Sequence, residues 1–261
     1  DLLDRGSDLY PQKEILVDDT ARLTYRELRE KVDRLAISFI ELGIKERDFV
    51  LLQLPNWHEF IIAFYALQKV GAIVVLLVAR HGLSEINYLC SLTHPVAWIG
   101  PDQYRNIEYL PLIKSVRESN KELRHIISVR APENEAFIPL ENLIYKGKLT
   151  AANLEALAAR RPDPMEVSII LPTGGTTGLP KAVPRTHNDY MATVEYHTKA
   201  WEMTSNDVVL TSAPVSHAQA IHNGVGGAFF HGAKYVLIDS TNAEDICRVI
   251  EREKVTAFPT V

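Results

Sequence analysis

Apolar residues in the first part of the chain recur at helical spacing and then gather into short runs. After Thr24 they form one face of a predicted amphipathic helix. These residues are Leu28, Val32, Leu35, Phe39 and Leu42. Thr24 and Glu27 have the spacing of a capping box, and Gly43 suits the left-handed position that ends many helices.

The next apolar runs are short and continuous, which is typical of strands buried on both faces. They lie at Asp48 to Leu54, in "AIVVLLV" directly after Gly71, and at Val96 to Gly100. Helical patterns separate them, and Asn56, with Glu59 three residues later, is the predicted N-terminal cap of the first helix between them. Strands that alternate with helices predict right-handed crossovers and a mostly parallel sheet.

Around residues 160–166 this pattern loosens into proline and charge, and the alternation then resumes. A strand is predicted from Val167 to Leu171 and a helix from about residue 188 to 201. "DVVLTSAP", "AKYVLID" and "VTAF" are further predicted strands, and "AEDICRVIEREK" is a predicted helix. We therefore expect an α/β fold with two doubly wound, largely parallel sheets flanked by helices. The expected subdomains are residues 1–165 and 166–261, the second of them partial.

The composition of the chain excludes several classes of function. The 261 residues are 46% hydrophobic and carry a net charge of -5, with no clustered basic excess that would predict binding to nucleic acid or anionic lipid. No apolar run approaches the ~18 residues of a membrane span, and no leader pattern is visible at Asp1. Two separated cysteines, Cys90 and Cys247, predict core packing in a cytoplasmic protein and no disulfide framework. The segment Lys114 to Arg124 predicts a solvated helix face with pairs of opposite charge.

One segment interrupts the alternation: "LPTGGTTGLPKAVPRTH", from Leu171 to His187. Glycines permit positive φ and close approach of backbone N–H groups to a ligand. Threonine hydroxyls add donors, and Lys181 adds a mobile positive charge. Together these groups suit phosphate oxygens, and a flexible surface turn is the alternative.

Two common phosphate-binding patterns do not fit this segment. In the nucleotide-binding loop G-x-x-x-x-G-K-[ST], lysine directly follows the final glycine and a helix begins at once. Here two residues separate Gly178 from Lys181, and Pro184 disfavours a helix in the residues before it. The glycine spacing also differs from the dinucleotide pattern G-x-G-x-x-G.

The segment closely resembles the phosphate loop of the adenylate-forming superfamily, which includes acyl- and aryl-CoA synthetases, peptide-synthetase adenylation domains and luciferases. The signature of that loop is roughly T-[SG]-G-[ST]-T-G-x-P-K-[GAL]. The matching residues are Thr173, Gly174, Gly175, Thr176, Thr177, Gly178, Pro180 and Lys181. The adjoining "PRTHNDY" is similar to the branch of aryl-acid ligases that resemble 2,3-dihydroxybenzoate-AMP ligase. Earlier landmarks in family order extend the resemblance over nearly the whole chain: "LTYREL", "LPNWHEF", "GAIVV" and "SEI".

This resemblance implies that a carboxylate attacks the α-phosphate of ATP, that pyrophosphate leaves, and that the acyl group then moves to a thiol. It implies that Thr176, Thr177 and Lys181 act in catalysis. The implied nucleotide-binding residues are Thr173, Gly174, Gly175, Thr176, Thr177, Gly178 and Lys181. ATP, Mg²⁺ and coenzyme A, or the phosphopantetheine of a carrier protein, are the implied reactants and cofactors. Because later family elements such as the hinge and the adenylation lysine are absent, we expect an N-terminal portion that lacks the C-terminal catalytic domain and is incomplete for catalysis by itself.

The resemblance also places part of the acid-binding pocket in Ser212 to Gly232. His217 matches the aromatic or histidine position at the pocket mouth. Ala218 and His222 stand where relatives that use dihydroxybenzoate carry asparagine and serine. Alanine cannot pair with a ring hydroxyl, so we expect that 2,3-dihydroxybenzoate is not the preferred acid and that coenzyme A is the acceptor.

Other interpretations stay open at this point. The chain could belong to an aryl-acid-AMP ligase that loads a carrier protein, a self-contained NTPase, or a nucleotide-binding module without activity of its own. His217 and His222 could be ordinary loop histidines. We expect no metal site there, because their spacing puts the two rings on different faces of a helix and no carboxylate or thiolate accompanies them.

Overall fold

The computed structural model describes residues 2–131, 137–173 and 180–259. Its helices, in chain order, are α1 (Leu2–Leu9), α2 (Tyr25–Glu41), α3 (His58–Val70), α4 (Leu83–Thr93), α5 (Tyr109–Ser119), α6 (Leu140–Lys146), α7 (Ala151–Ala158), α8 (His187–Ala200), α9 (Gly227–His231) and α10 (Ala243–Glu253). Its strands are β1 (Glu14–Val17), β2 (Arg22–Thr24), β3 (Phe49–Leu52), β4 (Ile73–Leu76), β5 (Ala97–Pro101), β6 (Gln103–Tyr104), β7 (Ile107–Glu108), β8 (His125–Val129), β9 (Ile138–Pro139), β10 (Val167–Pro172), β11 (Ala182–Thr186), β12 (Val208–Thr211) and β13 (Lys234–Leu237). A π-helical segment, Ala220–Gly226, precedes α9. No helix within the described ranges is long and apolar enough to cross a membrane.

The chain forms two compact units that interleave in sequence. Unit 1 comprises Asp1–Lys31, Pro55–Ile62 and Asn188–Val261, and unit 2 comprises Val32–Leu54 and Ala63–His187. The predicted boundary after residue 165 does not separate these units. The physical reason is strand pairing, because β10 follows that boundary and yet pairs in parallel with β4 inside unit 2.

The sheet of unit 2 has the strand order β11-β10-β4-β3-β5-β8-β9 among the described residues. Every neighbouring pair is parallel except β10 with β11. The chain passes from β3 to β4 on one side and then crosses to β5 on the other side of β3. Together with the sheet of unit 1, this arrangement confirms the predicted α/β class with largely parallel sheets flanked by helices.

A core of buried side chains covers one face of this sheet and includes Trp98 and Tyr109, both fully buried. Rings of this size each remove roughly 150–250 Å² of surface from water. The Tyr109 hydroxyl donates to the carbonyl of Ala79, and burial raises the pKa of Tyr109 to about 12. Cys90 lies in the same core, as predicted, whereas the prediction that Cys247 is buried is wrong, since its side chain is exposed on α10.

The sheet of unit 1 has the order β12-β13-β1-β2, parallel except for β1 with β2. The last residue of α10, Glu253, is buried beside it and accepts hydrogen bonds from Arg22 and Lys234 at 2.9 and 2.6 Å. Hydrogen bonds from Arg22 and then Lys234 hold the pKa of Glu253 well below its usual range, although burial opposes them. These contacts fix α10 against the strands of unit 1.

Helix capping confirms one prediction and corrects another. At the start of α2, the Thr24 N–H donates to the Glu27 carboxylate at 2.8 Å and the Glu27 N–H donates to Thr24 Oγ1 at 3.3 Å, which is the predicted capping box. The predicted cap of α3 at Asn56 is wrong. The first residue of α3, His58, donates its N–H to the carboxylate of Asp18 instead, at 2.8 Å.

Asp18 therefore anchors α3 from a point 40 residues earlier in the chain. Its Oδ2 also lies 2.9 Å from His58 Nδ1, and its Oδ1 accepts the N–H groups of Thr20 and Ala21 at 2.8 and 2.7 Å. Burial alone would raise the pKa of Asp18, but these hydrogen bonds, led by those of His58, hold it well below its usual range. A negative charge at this position also stabilises the helix N-terminus.

Asp18→Asn is expected to lower the free energy of unfolding at pH 7 by about 2 kcal/mol, because an amide nitrogen replaces an acceptor that faces N–H donors. The native state lowers the pKa of this carboxyl. Its contribution is therefore complete above the unfolded-state pKa of about 4 and is lost as the pH falls through the native value. Urea unfolding at several pH values should show that the difference in the free energy of unfolding between wild type and variant becomes smaller in acid. Asp19→Asn, at the exposed neighbour, is the matched control, and an equal effect of both variants would contradict this account.

Candidate functional site

The glycine- and threonine-rich segment joins the two strands of an antiparallel hairpin. β10 and β11 pair with Leu171 beside Val183 and Pro172 beside Ala182. The ends of the segment are joined by two hydrogen bonds: the Thr173 N–H donates to the Lys181 carbonyl, and the Lys181 N–H donates to Thr173 Oγ1, both at 3.0 Å. The prediction that Pro184 disfavours a helix in the residues before it is confirmed, since they form the extended strand β11.

The remaining predicted phosphate-loop residues lie outside the described part of the chain. They are Gly174, Gly175, Thr176, Thr177 and Gly178. Their roles remain predictions from the sequence. The structure brings together the two residues that flank them, Thr173 and Lys181, whose side chains are both exposed.

The position of this segment within unit 2 suits ligand binding. It follows β10, which runs parallel to β4 and β3, so it lies at the carboxyl edge of the parallel strands. Ligands of open α/β sheets bind at that edge. Lys181 offers an ammonium group and Thr173 a hydroxyl, which suit phosphate oxygens.

Mg²⁺ prefers oxygen ligands, and carboxylates above all. The described residues of the hairpin, 167–173 and 180–186, contain no Asp or Glu. Their chemistry fits phosphate oxygens directly and fits Mg²⁺ only as an ion carried in with a nucleotide. We therefore assign no metal ligand among them.

The predicted acid-binding residues of unit 1 lie in, and just before, a helical segment of unusual geometry. The π-helical segment Ala220–Gly226 continues into α9, and π-helical turns are rare and frequently lie at functional sites. His217 is exposed, Ala218 is half-buried, and His222 is buried within the π-helical segment. The three residues thus run from the surface into the interior along one stretch of chain.

The hydrogen bonding of His222 defines its tautomer. Its Nδ1 lies 2.6 Å from the carbonyl oxygen of Ala218, and because a carbonyl can only accept, Nδ1 carries the proton. In the neutral ring Nε2 then has a lone pair and acts as an acceptor. The ring centroid lies 5.3 Å from that of Tyr190, whose hydroxyl donates to the Ile221 carbonyl at 2.8 Å.

Two glycines of the π-helical segment allow it to lie close to its neighbours. A Cβ on Gly226 would lie 2.4 Å from Val194 Cγ2 and 2.7 Å from the Tyr190 hydroxyl, both on α8. A Cβ on Gly224 would lie 2.7 Å from the Tyr235 hydroxyl. Any side chain at either position would push the segment away from α8 or the sheet.

Asn56 positions the entry to this stretch. Its Nδ2 donates to the carbonyls of Ala213 and Ile238 at 2.9 and 3.0 Å, and its Oδ1 accepts the N–H of Val215 at 2.8 Å. The side chain is 4% exposed, so these bonds form away from water. Sequence reasoning missed this role, because its only signal was a polar residue before a helix, which also fits a cap.

Asp18, His58 and Glu59 form a second cluster that the sequence did not indicate. One potential metal-binding atom from each lies within 4.8 Å of the others. Both oxygens of Asp18 already accept backbone N–H groups, and His58 Nδ1 lies 2.9 Å from Asp18 and 3.2 Å from Glu59. These contacts explain the cluster as the anchor of α3.

Asn56→Ala is expected to lower the free energy of unfolding by about 3 kcal/mol, since it removes the partners of one buried N–H and two carbonyls. Urea unfolding measures the loss, and amide hydrogen exchange at Val215 should accelerate. Asn206→Ala, at an exposed asparagine of the same unit, serves as the control and should change neither quantity. Unchanged exchange at Val215 in Asn56→Ala would contradict the positioning role.

Comparisons with known proteins agree with this geometry. A sequence model described as AMP-binding enzyme matches residues 3–261. The 2,3-dihydroxybenzoate-AMP ligase of Bacillus subtilis (strain 168) is 34% identical over 257 residues, which cover 98% of this chain and 46% of that protein. The 2-hydroxy-7-methoxy-5-methyl-1-naphthoate–CoA ligase of Streptomyces carzinostaticus is 29% identical over 257 residues, covering 96% of this chain and 46% of that ligase.

Among solved structures, apo MbtA of Mycobacterium smegmatis superposes with a TM-score of 0.87 at 29% identity, covering 98% of this chain and 46% of that one. The chain thus spans about half the length of the relatives it matches. The family match, which extends over nearly every residue, confirms the resemblance first indicated by the phosphate-loop signature. The chain belongs to the AMP-binding enzyme family, the adenylate-forming enzymes.

Proposed function

We propose that the protein containing this chain is an ATP-dependent acid–thiol ligase. It activates an acyl or aryl acid as the acyl adenylate, with release of pyrophosphate, and transfers the acyl group to the thiol of coenzyme A. The observation that carries the proposal is the Thr173–Lys181 segment, which has the family's phosphate-loop sequence and has its two ends joined at the carboxyl edge of a parallel sheet. Membership of the family supports the same reaction.

The chemistry of the step explains this composition. A carboxylate must attack the α-phosphate of ATP although both groups are anions, so the site has to neutralise charge and align the attack. In the proposal Lys181 and the hydroxyls of Thr176 and Thr177 hold the departing β- and γ-phosphates. Backbone N–H groups of the glycines complete the set. Mg²⁺, which binds with the nucleotide, supplies further positive charge.

The proposed acid-binding residues are His217, Ala218 and His222. The half-buried Ala218 offers no side-chain hydrogen bond, and the buried ring of His222 is held through its Nδ1, 2.6 Å from the Ala218 carbonyl oxygen. A pocket with this pair is a poor match for a catechol ring whose hydroxyl needs a partner at position 218. This supports an acid other than 2,3-dihydroxybenzoate, and coenzyme A in place of a carrier protein as acceptor.

Lys181→Ala is expected to reduce ATP–pyrophosphate exchange by the intact protein roughly hundredfold, because one charged donor to the departing phosphates typically contributes about 3 kcal/mol in the transition state. Lys148→Ala removes an exposed lysine elsewhere in unit 2 and should leave the rate unchanged. Equal rates for the two variants would overturn the role of the segment and, with it, the proposed reaction.

Substrate preference has its own test. ATP–pyrophosphate exchange across benzoate, other aryl acids, aliphatic acids and 2,3-dihydroxybenzoate should show that dihydroxybenzoate is not the fastest. Ala218→Asn should raise its relative rate roughly tenfold by restoring one hydrogen bond, with Ala218→Val as a control that adds volume without it. Thioester should accumulate on free coenzyme A. A preference of the wild type for dihydroxybenzoate, or transfer only to a carrier protein, would contradict this assignment.

A further inference from the structure

Unit 2 carries a concavity of opposite charge to the chain as a whole. We call it the basic groove. It has a volume of about 540 Å³ and is lined by Lys114, Arg117, Glu118, Lys121, Leu123 and Arg124, from α5 and the turn that follows it. The lining contains four positively charged side chains and one carboxylate, that of Glu118, whereas the chain as a whole carries a net charge of -5.

These four cations are exposed, and none of them forms an ion pair with a carboxylate anywhere in the part of the chain that the structure describes. The nearby acid Glu122 is turned to His94, with its carboxylate 2.8 Å from His94 Nδ1. The prediction that residues from Lys114 to Arg124 form pairs of opposite charge is therefore wrong for these four cations. Four like charges around one concavity repel one another and attract anions.

The dipole of α5 explains only part of this arrangement. Cations stabilise the last turn of a helix, and the effect fades beyond it. Arg117 lies in the last turn of α5, which ends at Ser119. Lys121 and Arg124 lie beyond that end and take no part in capping the helix.

The positive charge of the groove also affects the adjacent residue His125, which begins β8. Its pKa is lowered by burial first, and then by the charges of Arg124 and Arg117. Two of the cations that line the groove thus act on a half-buried ring that directly follows Arg124 in the chain.

The basic groove is separate from the phosphate-loop segment within unit 2. It precedes β8 and so lies at the amino edge of the parallel strands, whereas the Thr173–Lys181 segment follows β10 at their carboxyl edge. An anion in the groove would therefore be an additional ligand and not the reacting nucleotide.

We propose that the basic groove binds a small molecule that carries two or more phosphate groups. With the carboxylate of Glu118 counted, the two guanidinium and two ammonium groups leave the lining with a net charge of +3, which is complementary to a diphosphate. Arginine pairs with phosphate oxygens through two parallel hydrogen bonds. The volume lies in the range of about 300–1,000 Å³ that is typical of small-molecule pockets. The shared chemistry is the diphosphate, whether it is free pyrophosphate or part of a nucleotide.

Calorimetric titration of the intact Lys181→Ala variant with inorganic pyrophosphate and with ADP tests the proposal without engaging the phosphate-loop lysine. Binding is expected, and adding Arg117→Gln with Lys121→Gln should weaken it roughly tenfold or more. Arg161→Gln, at an exposed arginine elsewhere in unit 2, is the control for a lost charge and should bind as before. ADP binding tighter than pyrophosphate would indicate a nucleotide, and the reverse order would indicate the free ion.

The imidazole of His125 locates the ligand. Histidine NMR, assigned with His125→Gln, should show pyrophosphate raising the pKa of His125, because a nearby anion favours the charged ring. No binding, an equal loss in Arg161→Gln, or binding that leaves His125 unmoved would overturn the proposal. Binding of an acidic peptide but of neither phosphate compound would also overturn it. So would an effect seen only at high pyrophosphate concentration, because that result would indicate an adventitious ion only.

Discussion

The two hydrogen bonds between Thr173 and Lys181 are the constraint on which the proposed chemistry depends. They join the two ends of a glycine- and threonine-rich segment at the carboxyl edge of a parallel sheet, and so fix the backbone of Lys181 beside that of Thr173. A loop with free ends would lose that preorganisation, which is the main source of charge stabilisation in phosphoryl and adenylyl transfer. In the proposed function, the pairing of β10 with β11 holds the ends of this segment in place.

Unit 1 achieves the same kind of preorganisation with single buried polar side chains. Asn56 binds three backbone groups around the entry to the π-helical segment, and Asp18 binds the N-terminus of α3. Each makes bonds that water cannot replace once the side chain is buried, so each fixes a backbone position at the cost of strict geometry. Gly226 adds the matching steric requirement, because any Cβ there would collide with α8.

Hydrophobic periodicity was sufficient for the α/β class and for many of the elements, but it did not predict α1, β1, β2 or the π-helical segment. The predicted strand "VTAF" contains only an isolated bridge between Ala257 and Val209. The capping box of Thr24 and Glu27 and the extended residues after Lys181 also follow from local rules, since their partners lie within a few residues. What local rules could not predict depends on distant pairing: β10 joins β4 across about a hundred residues, and Asp18 displaces Asn56 as the cap of α3. The phosphate segment was recognisable because its glycines and lysine lie in one stretch, whereas the role of Asn56 required its partners at 213, 215 and 238.

The central claim is that a carboxylate attacks the α-phosphate of ATP. Incubating the intact protein with ATP, Mg²⁺, coenzyme A and an acid substrate whose carboxylate carries heavy oxygen (¹⁸O) tests it directly. Attack at the α-phosphate leaves one of the labelled oxygens on that phosphate when the acyl group departs to the thiol, so mass spectrometry should find the label in AMP and none in inorganic phosphate or pyrophosphate. Label in inorganic phosphate, with ADP as the nucleotide product, would mean attack at the γ-phosphate and would contradict the account.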